Sequence, residues 1–361
     1  MEDKLSAARK EINLIDKEMA ALFCRRMKAA EKVAEYKKEH GLPILDASRE
    51  VELIERNCEL ISEEYLKPYY IDFLKSNMEI SKRYQLRLNE GMRVAFSGVK
   101  GAFAEIAAKK IFKDALRVEH SNFKEAYEAA ENGECDCVLL PLENSYNGDV
   151  GQVMDLAFFG PLYINGIYDF SVCQCLLVKK GTRLEDVKEV ISHPQALGQC
   201  SSFIIKHKLK FTECKNTAVA ASLVAESDRN DFAAIASEEA AAEFGLEILH
   251  GGINDDATNT TRFAVFSRLD KNEHNNDNEF IMFFTVKNEN GSLGRALTVI
   301  GNNGFNLRAL KSRPSKDLVW SYYFYVEGEG NIYSDQGKKM LDELSSVCDN
   351  IKIVGSFEKS K

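Results

Sequence analysis

From Glu2 to His40 the chain contains neither glycine nor proline. Its apolar residues fall at Leu5, Ala8, Ile12, Ile15, Met19 and Leu22, then at Ala29, Val33 and Tyr36. The steps alternate three and four, the seam of a coiled-coil-type helix. Gly41 and Pro43 end it. Such a helix is about 55 Å long at about 1.5 Å per residue, longer than a small domain is wide. Most of it must pack against something outside its own segment. One seam position holds a cation: the rhythm asks for an apolar residue at 26 and finds Arg26. Lys37 lies about 20° further around the same face. Either Arg26 snorkels to solvent, or the seam opens there to admit an anion.

Two further helices follow. Asp46 precedes Ser48-Arg49-Glu50 at the start of the second, and Pro68 sits in the first turn of the third. On the third, Asn77, Ser81 and Gln85 form a stripe at i, i+4 and i+8. A neutral stripe among charged neighbours is either a solvated face or the orienting wall of a pocket. The polar residues such a bundle could turn inward are Arg9, Arg26, Lys37, Asp46, Arg49, Glu50, Ser81 and Gln85. Cations predominate, and no His or Cys nucleophile is among them. Arginine forks bind carboxylates, and Lys or Gln can donate to an oxygen gaining negative charge. The set suits a dicarboxylate that reacts without a covalent intermediate. Arg9 and Arg26 are roughly 25 Å apart along one helix, too far for one small ligand. If both serve one pocket, Arg9 comes from a second chain, which predicts an intertwined homodimer.

The spacing of these eight residues across positions 1–90 resembles the all-helical chorismate mutase family. The resemblance implies rearrangement of chorismate to prephenate, with Arg9 crossing from the partner subunit and Arg26 among the carboxylate ligands. It implies Lys37 and Gln85 at the ether oxygen, with the Asp and Glu orienting the substrate's hydroxyl end.

After Gly91 the texture changes to short β-rich runs alternating with helical stretches, at 94–96, 138–140, 173–178, 190–191, 232–236 and 263–266. This predicts an α/β domain with a mostly parallel sheet, whose ligands bind at strand C-termini. The loops there are Gly98–Phe103, which reads equally as a structural turn, and Glu143-Asn144-Ser145 with Gly148, a binding loop or a plain helix cap. Ser192-His193-Pro194-Gln195 starts a helix, where an anion and a neutral imidazole are favoured. His193 reads as structural or functional. Asn216-Thr217 and Ser237 open further helices, and Thr261-Arg262-Phe263 offers a hydroxyl beside a carboxylate-gripping guanidinium. Residues 92–267 resemble the prephenate dehydratase family through these loops. The resemblance implies loss of water and CO₂ from prephenate, giving phenylpyruvate. Thr261 then serves as the hydroxyl-protonating group, with Glu143, Asn144, Ser145, Gly148, Ser192, His193, Gln195, Thr217, Arg262 and Phe263 around the substrate. The family's first-loop Ser is Ala104 here.

Residues 270–279 are polar and predict a linker. Residues 280–361 carry a βαββαβ pattern, ferredoxin-like, with no acid–base cluster. They resemble the ACT regulatory module, which implies phenylalanine as effector at a paired-module interface. Gly291, Ser292, Leu293, Asn306, Lys311, Ser312, Arg313 and Pro314 would contact it. Ser292 and Lys311 stand where the family has Ala and Glu.

The formal charge of −9 argues against nucleic acid or an anionic membrane as partner. The charged N-terminus shows no secretory signal, and no apolar run reaches about 20 residues. Nine cysteines without a CxxC predict free thiols in the cytosol. No metal or cofactor is expected. The expected architecture is multidomain: an all-α mutase-type dimer, a two-lobed α/β dehydratase and an α+β ACT module. The rival readings are a non-catalytic two-lobed metabolite sensor, and a dehydratase whose inactive helical domain serves only dimerisation.

Overall fold

Three α-helices and a short 3-10 turn at Glu64–Leu66 account for most of the described residues in the first unit of the computed structural model, residues 1–93. Residues 4–271, 273–314 and 322–358 are described. The glycine-free stretch forms α1 (Lys4–Glu39), followed by α2 (Ala47–Cys58) and α3 (Lys67–Glu90). Asp46 caps α2 by accepting from the Arg49 backbone N–H at 3.0 Å. Gly91 ends α3 at a φ of +84°, a region a side chain rarely enters. α1 and α3 pack on each other through a different stripe from the expected seam. The buried positions of α1 are Met27, Ala30 and Ala34, and those of α3 are Leu74, Met78, Ser81 and Gln85. Small alanines let the two backbones approach. Leu5, Ile12, Ile15, Met19 and Leu22 remain 45–57 % exposed: among the described residues of this unit the N-terminal half of the seam stays uncovered.

The second unit, residues 94–361, contains three sheets. The first lobe comprises β1 (Arg93–Ser97), α4 (Phe103–Ile111), β2 (Leu116–His120), α5 (Phe123–Glu131), β3 (Cys137–Asn144), β4 (Gly148–Asp149), α6 (Gly151–Phe159) and β5 (Tyr163–Ser171). The second comprises β6 (Cys175–Val178), β7 (Glu189–Ser192), α7 (Pro194–Gln199), α8 (Ser201–Lys206), β8 (Lys210–Glu213), α9 (Thr217–Glu226), β9 (Phe232–Ala236), α10 (Glu238–Phe244) and β10 (Glu247–His250). The chain then returns, and β11 (Thr260–Ser267) inserts between β3 and β5, giving the order β2-β1-β3-β11-β5. The second sheet runs β10-β6-β9-β7-β8.

Neither sheet is mostly parallel, as the alternation had predicted. β1 with β3, and β7 with both β8 and β9, are parallel. β11 is antiparallel to both its neighbours, and β6 to both of its own. The reason is the double crossing between lobes: each crossing strand enters a sheet from the opposite end. The two crossing segments hydrogen-bond each other, Val172 N–H to the Asn259 carbonyl at 2.8 Å and Ile253 N–H to the Gln174 carbonyl at 2.9 Å.

The last sheet holds β12 (Glu279–Thr285), β13 (Asn306–Pro314), β14 (Tyr322–Glu329) and β15 (Asn350–Phe357), with α11 (Ser292–Asn302) and α12 (Asp335–Ser345). Its order, β13-β14-β12-β15, is all antiparallel and is the ferredoxin-like arrangement. The continuous apolar run in β12 is explained by burial on both faces. Phe280, Met282 and Phe284 face the core with α11 and α12, while Ile281 and Phe283 join the core of the first lobe. Each such side chain contributes about 1.5–3 kcal/mol on burial. The segment 270–279, expected as a linker, is tied down: Asp277 is buried and pairs with Lys271 and His274.

Candidate active sites

Every residue of the expected helical set except Arg9 lines one cavity of about 290 Å³ in the first unit. α1 contributes Arg26, Ala29, Val33 and Lys37, spaced i, i+3, i+7 and i+11 on one face. Ile44 and Asp46 close one end, Arg49, Glu50 and Leu53 come from α2, and Met78, Ser81, Lys82 and Gln85 from α3. Arg9 is exposed on α1 and does not line the cavity.

Two cations of this cavity, Arg26 and Lys37, are under-used. Arg26 is half-buried and among the described residues reaches only the Asn77 carbonyl, at 3.4 Å. That burial lowers its pKa from the usual arginine value. Lys37 Nζ donates to the Ile44 carbonyl at 2.7 Å. Among the described residues neither has a carboxylate in salt-bridge contact. Gln85 is buried; its Nε2 donates to the Ser81 carbonyl and hydroxyl in long bonds of 3.3 and 3.4 Å, from which it can turn to a ligand oxygen, and its Oε1 has no hydrogen-bond partner among those residues. Uncompensated donors and a stranded amide around an open space are the groups a polar ligand would satisfy. The acids are occupied. Asp46 serves as the α2 cap, its pKa lowered chiefly by the Arg49 backbone N–H. Glu50 pairs with Lys82 at 3.0 Å and Arg49 with Glu52 at 2.8 Å. Lys82 was not singled out from sequence as a pocket residue, although it adjoins Ser81 on the polar stripe.

A second cavity, of about 650 Å³, lies in the two-lobed part. The first turns of α4, α5, α6, α7 and α9 meet its wall, through Phe103, Phe123, Gly151, His193 with Gln195, and Thr217. Converging helix N-termini present free N–H groups and positive dipole ends to an anion. Lys215 is the cationic side chain on the wall. His193 caps α7, its Nδ1 accepting from the Gln195 backbone N–H at 3.2 Å. Burial lowers its pKa, and the accepting Nδ1 leaves Nε2–H as the ring's donor.

Thr261 and Phe263 line this cavity. Asn144 Nδ2 donates to Thr261 Oγ1 at 3.0 Å and to Asn259 Oδ1 at 2.9 Å. Its Oδ1 accepts from the backbone N–H groups of Tyr146 and Asn147, at 3.1 and 3.0 Å. The amide orientation is therefore fixed, and the Thr261 hydroxyl hydrogen is left free to donate. Gly148 also lines the wall, at a φ of +75°.

Four expected contacts lie elsewhere. Arg262 does not line the cavity, because strand alternation turns it to the face opposite Thr261 and Phe263. Its Nη1 donates to both Glu327 oxygens at 3.0 Å, and Glu143 and Asp169 lie at 3.5 Å. Burial pulls its pKa down, but the charge and hydrogen bonds of Glu327, together with Tyr325 and Asp169, outweigh this and raise it. Glu143 shares that far face. Ser192 is fully buried, and its hydroxyl donates to the Ile235 carbonyl at 2.5 Å. Ser145 Oγ accepts from the Thr260 N–H at 3.0 Å, holding the start of β11. Removing the guanidinium by Arg262→Ala leaves the buried Glu327 without its counter-charge, at an expected cost of about 3–5 kcal/mol. Chemical denaturation of the full chain, with Arg262→Ala compared with Arg262→Met/Glu327→Gln, should show the double variant recovering part of that loss. Sequence reading also missed Gln174 and Gln199, buried wall residues bonded at 3.2 Å. The apolar and cysteine-rich surroundings of Gln174 masked it.

The expected effector residues divide by strand parity. Lys311 and Arg313 face the first lobe: Lys311 pairs with Glu143 and Asp149, and Arg313 Nε donates to Asp155 Oδ1 at 3.0 Å. Ser312 and Pro314 are exposed. Gly291 caps α11 at a φ of +78°, and Ser292 Oγ, buried, accepts from Arg295 at 2.8 Å. Leu293 packs on the module's own core, and Asn306 donates to Glu329 at 2.9 Å.

Comparison with known proteins matches both halves. A family model described as chorismate mutase type II matches residues 8–86, and one described as prephenate dehydratase matches residues 94–271. The bifunctional chorismate mutase/prephenate dehydratase of Aquifex aeolicus is 31 % identical over 369 residues, covering 99 % of each chain. The chloroplastic arogenate dehydratase/prephenate dehydratase 2 of Arabidopsis thaliana is 34 % identical over 276 residues, covering 74 % of this chain and 72 % of its own. The solved prephenate dehydratase of Arthrobacter aurescens in complex with L-Phe superposes with a TM-score of 0.69 at 26 % identity, over 74 % of this chain and 90 % of that one. With a near end-to-end relative joining the two matched segments in the same order, this chain belongs to the family of bifunctional chorismate mutase/prephenate dehydratases.

Proposed function

We propose that each cavity carries one of two successive reactions, chorismate to prephenate in the helical unit and prephenate to phenylpyruvate between the α/β lobes. The observation that carries the reading is the gathering of Arg26, Lys37, Asp46, Arg49, Glu50, Ser81 and Gln85 around one cavity. In the first reaction no group is transferred. One C–O bond breaks as a C–C bond forms, and negative charge grows on the ether oxygen. Arg26 and Arg49 hold the substrate carboxylates, while Lys37 and Gln85 stabilise that oxygen. Binding of the dianion offsets the desolvation of Arg26.

In the second, the ring carboxylate leaves as CO₂ and its bonding electrons enter the ring. The ring hydroxyl departs as water after receiving a proton. Thr261, its oxygen held by Asn144, donates its hydrogen bond to that hydroxyl. The helix N-termini and Lys215 hold the remaining carboxylate. Neither reaction draws on a metal or cofactor.

The exposed apolar N-terminal half of α1 supports an intertwined homodimer in which Arg9 enters the partner's cavity. The ferredoxin-like module supports an ACT-type effector site for phenylalanine. Among the described residues no helix is long and apolar enough to cross a membrane. Purified full-length protein given chorismate should form prephenate and then phenylpyruvate. Absence of either conversion removes the corresponding half of the proposal.

A further inference from the structure

The hairpin between β3 and β4 places two carboxylates side by side. Glu143 and Asp149 are direct cross-strand partners, as are Asn144 and Gly148. Like charges directly opposite on an antiparallel pair repel, and the turn between them is short. Yet this hairpin carries Asn144, which fixes the Thr261 hydroxyl, and its residues Asn147, Gly148 and Asp149 form part of the cavity wall. A cation supplies what the pair lacks. Lys311 Nζ, on β13, lies 3.3 Å from Glu143 Oε1 and also bonds Asp149 Oδ1. Its side chain is 19 % exposed, and its Nζ sits over the Tyr325 ring, 5.7 Å from the centroid. Arg262 approaches Glu143 from the other side, at 3.5 Å.

We infer that Lys311 is a positioning residue of the dehydratase site, holding the β3–β4 hairpin through Glu143 and Asp149 in the shape that presents Asn144 to Thr261. The C-terminal module thus supplies a permanent part of the catalytic scaffold. Lys311 is spent on that contact rather than on an effector. A glutamate at this position would add a third negative charge to the pair. The inference rests on the dehydratase reading above.

The test uses the full-length chain with prephenate as substrate, and chorismate rearrangement as a control from the other unit. Lys311→Met should lower kcat/KM for prephenate roughly ten-fold, chiefly in kcat, since a small displacement of a reacting group is costly. Lys311→Arg should stay near the parent, and Lys311→Glu should fall below Lys311→Met. The charge-swapped pair Lys311→Glu/Asp149→Lys should recover most of the loss of Lys311→Glu. A contact that only glues the module on would change the melting temperature without this recovery of kcat. The inference is overturned if Lys311→Met keeps the parental kcat/KM, or if the swapped pair is no better than Lys311→Glu alone. Parental protein that fails to turn over prephenate at all would instead overturn the dehydratase reading.

Discussion

Replacement of Thr261 by alanine is expected to reduce prephenate turnover by roughly 10²–10⁴-fold, the range for a positioned proton donor. Thr261 Oγ1 accepts from Asn144 at 3.0 Å, which leaves its own hydrogen free to donate. The loss should fall on kcat, because the leaving hydroxyl gains its need for a proton only as its bond to the ring breaks. Substrate affinity, assigned in the proposed reading to helix N-termini and Lys215, should change little. Rearrangement of chorismate should be unaffected. Direct assay of Thr261→Ala with prephenate, and binding of prephenate by calorimetry, separates the two effects. Loss of binding together with turnover would assign Thr261 to anchoring instead.

The second large effect is expected in the helical unit. Arg26→Ala should cost about 2–5 kcal/mol of transition-state stabilisation, the range for truncating one partner of a desolvated charge pair. That corresponds to roughly 30-fold or more in kcat/KM for chorismate. Arg26→Lys should recover only part, because the ammonium lacks the planar fork that meets a carboxylate with two bonds. Prephenate supplied directly should still be converted at the parental rate. A parental rate from chorismate in Arg26→Ala would reduce the helical unit to a dimerisation element.

The helical unit was readable in sequence because its signals are local. The glycine-free run and the 3–4 spacing act within a few residues, and Arg26 stood out as a charge in an apolar rhythm. What the spacing did not reveal is which stripe packs within the chain. Met27, Ala30 and Ala34 lie one position away from the expected seam, and small residues at close helix contacts look like filler in a hydrophobicity pattern. In the α/β part the loops were legible but strand direction was not, since direction follows from which lobe the chain has just left. The error over Arg262 was avoidable: Thr261, Arg262 and Phe263 are consecutive on one strand, and period two forbids all three from one cleft. The same parity separates Lys311 and Arg313 from Ser312. Gln174 and Gln199 gave no signal, because nothing in their local sequence shows that the two amides meet, bonded at 3.2 Å, on one buried wall.

The path of β11 bears on how this chain comes into being. The strand lies in the middle of the first lobe, paired along its length with β3 and β5, yet it is the last of that sheet to leave the ribosome. Until it emerges, β3 and β5 carry open edges with nothing to join them, and closing the gap means bringing together segments far apart in sequence, a slow step. Thr261, the proposed donor to the departing hydroxyl, rides on that same late strand. A chain halted before this strand lacks both the proposed donor and the pairing partner of two open strand edges, the kind of edge that invites aggregation.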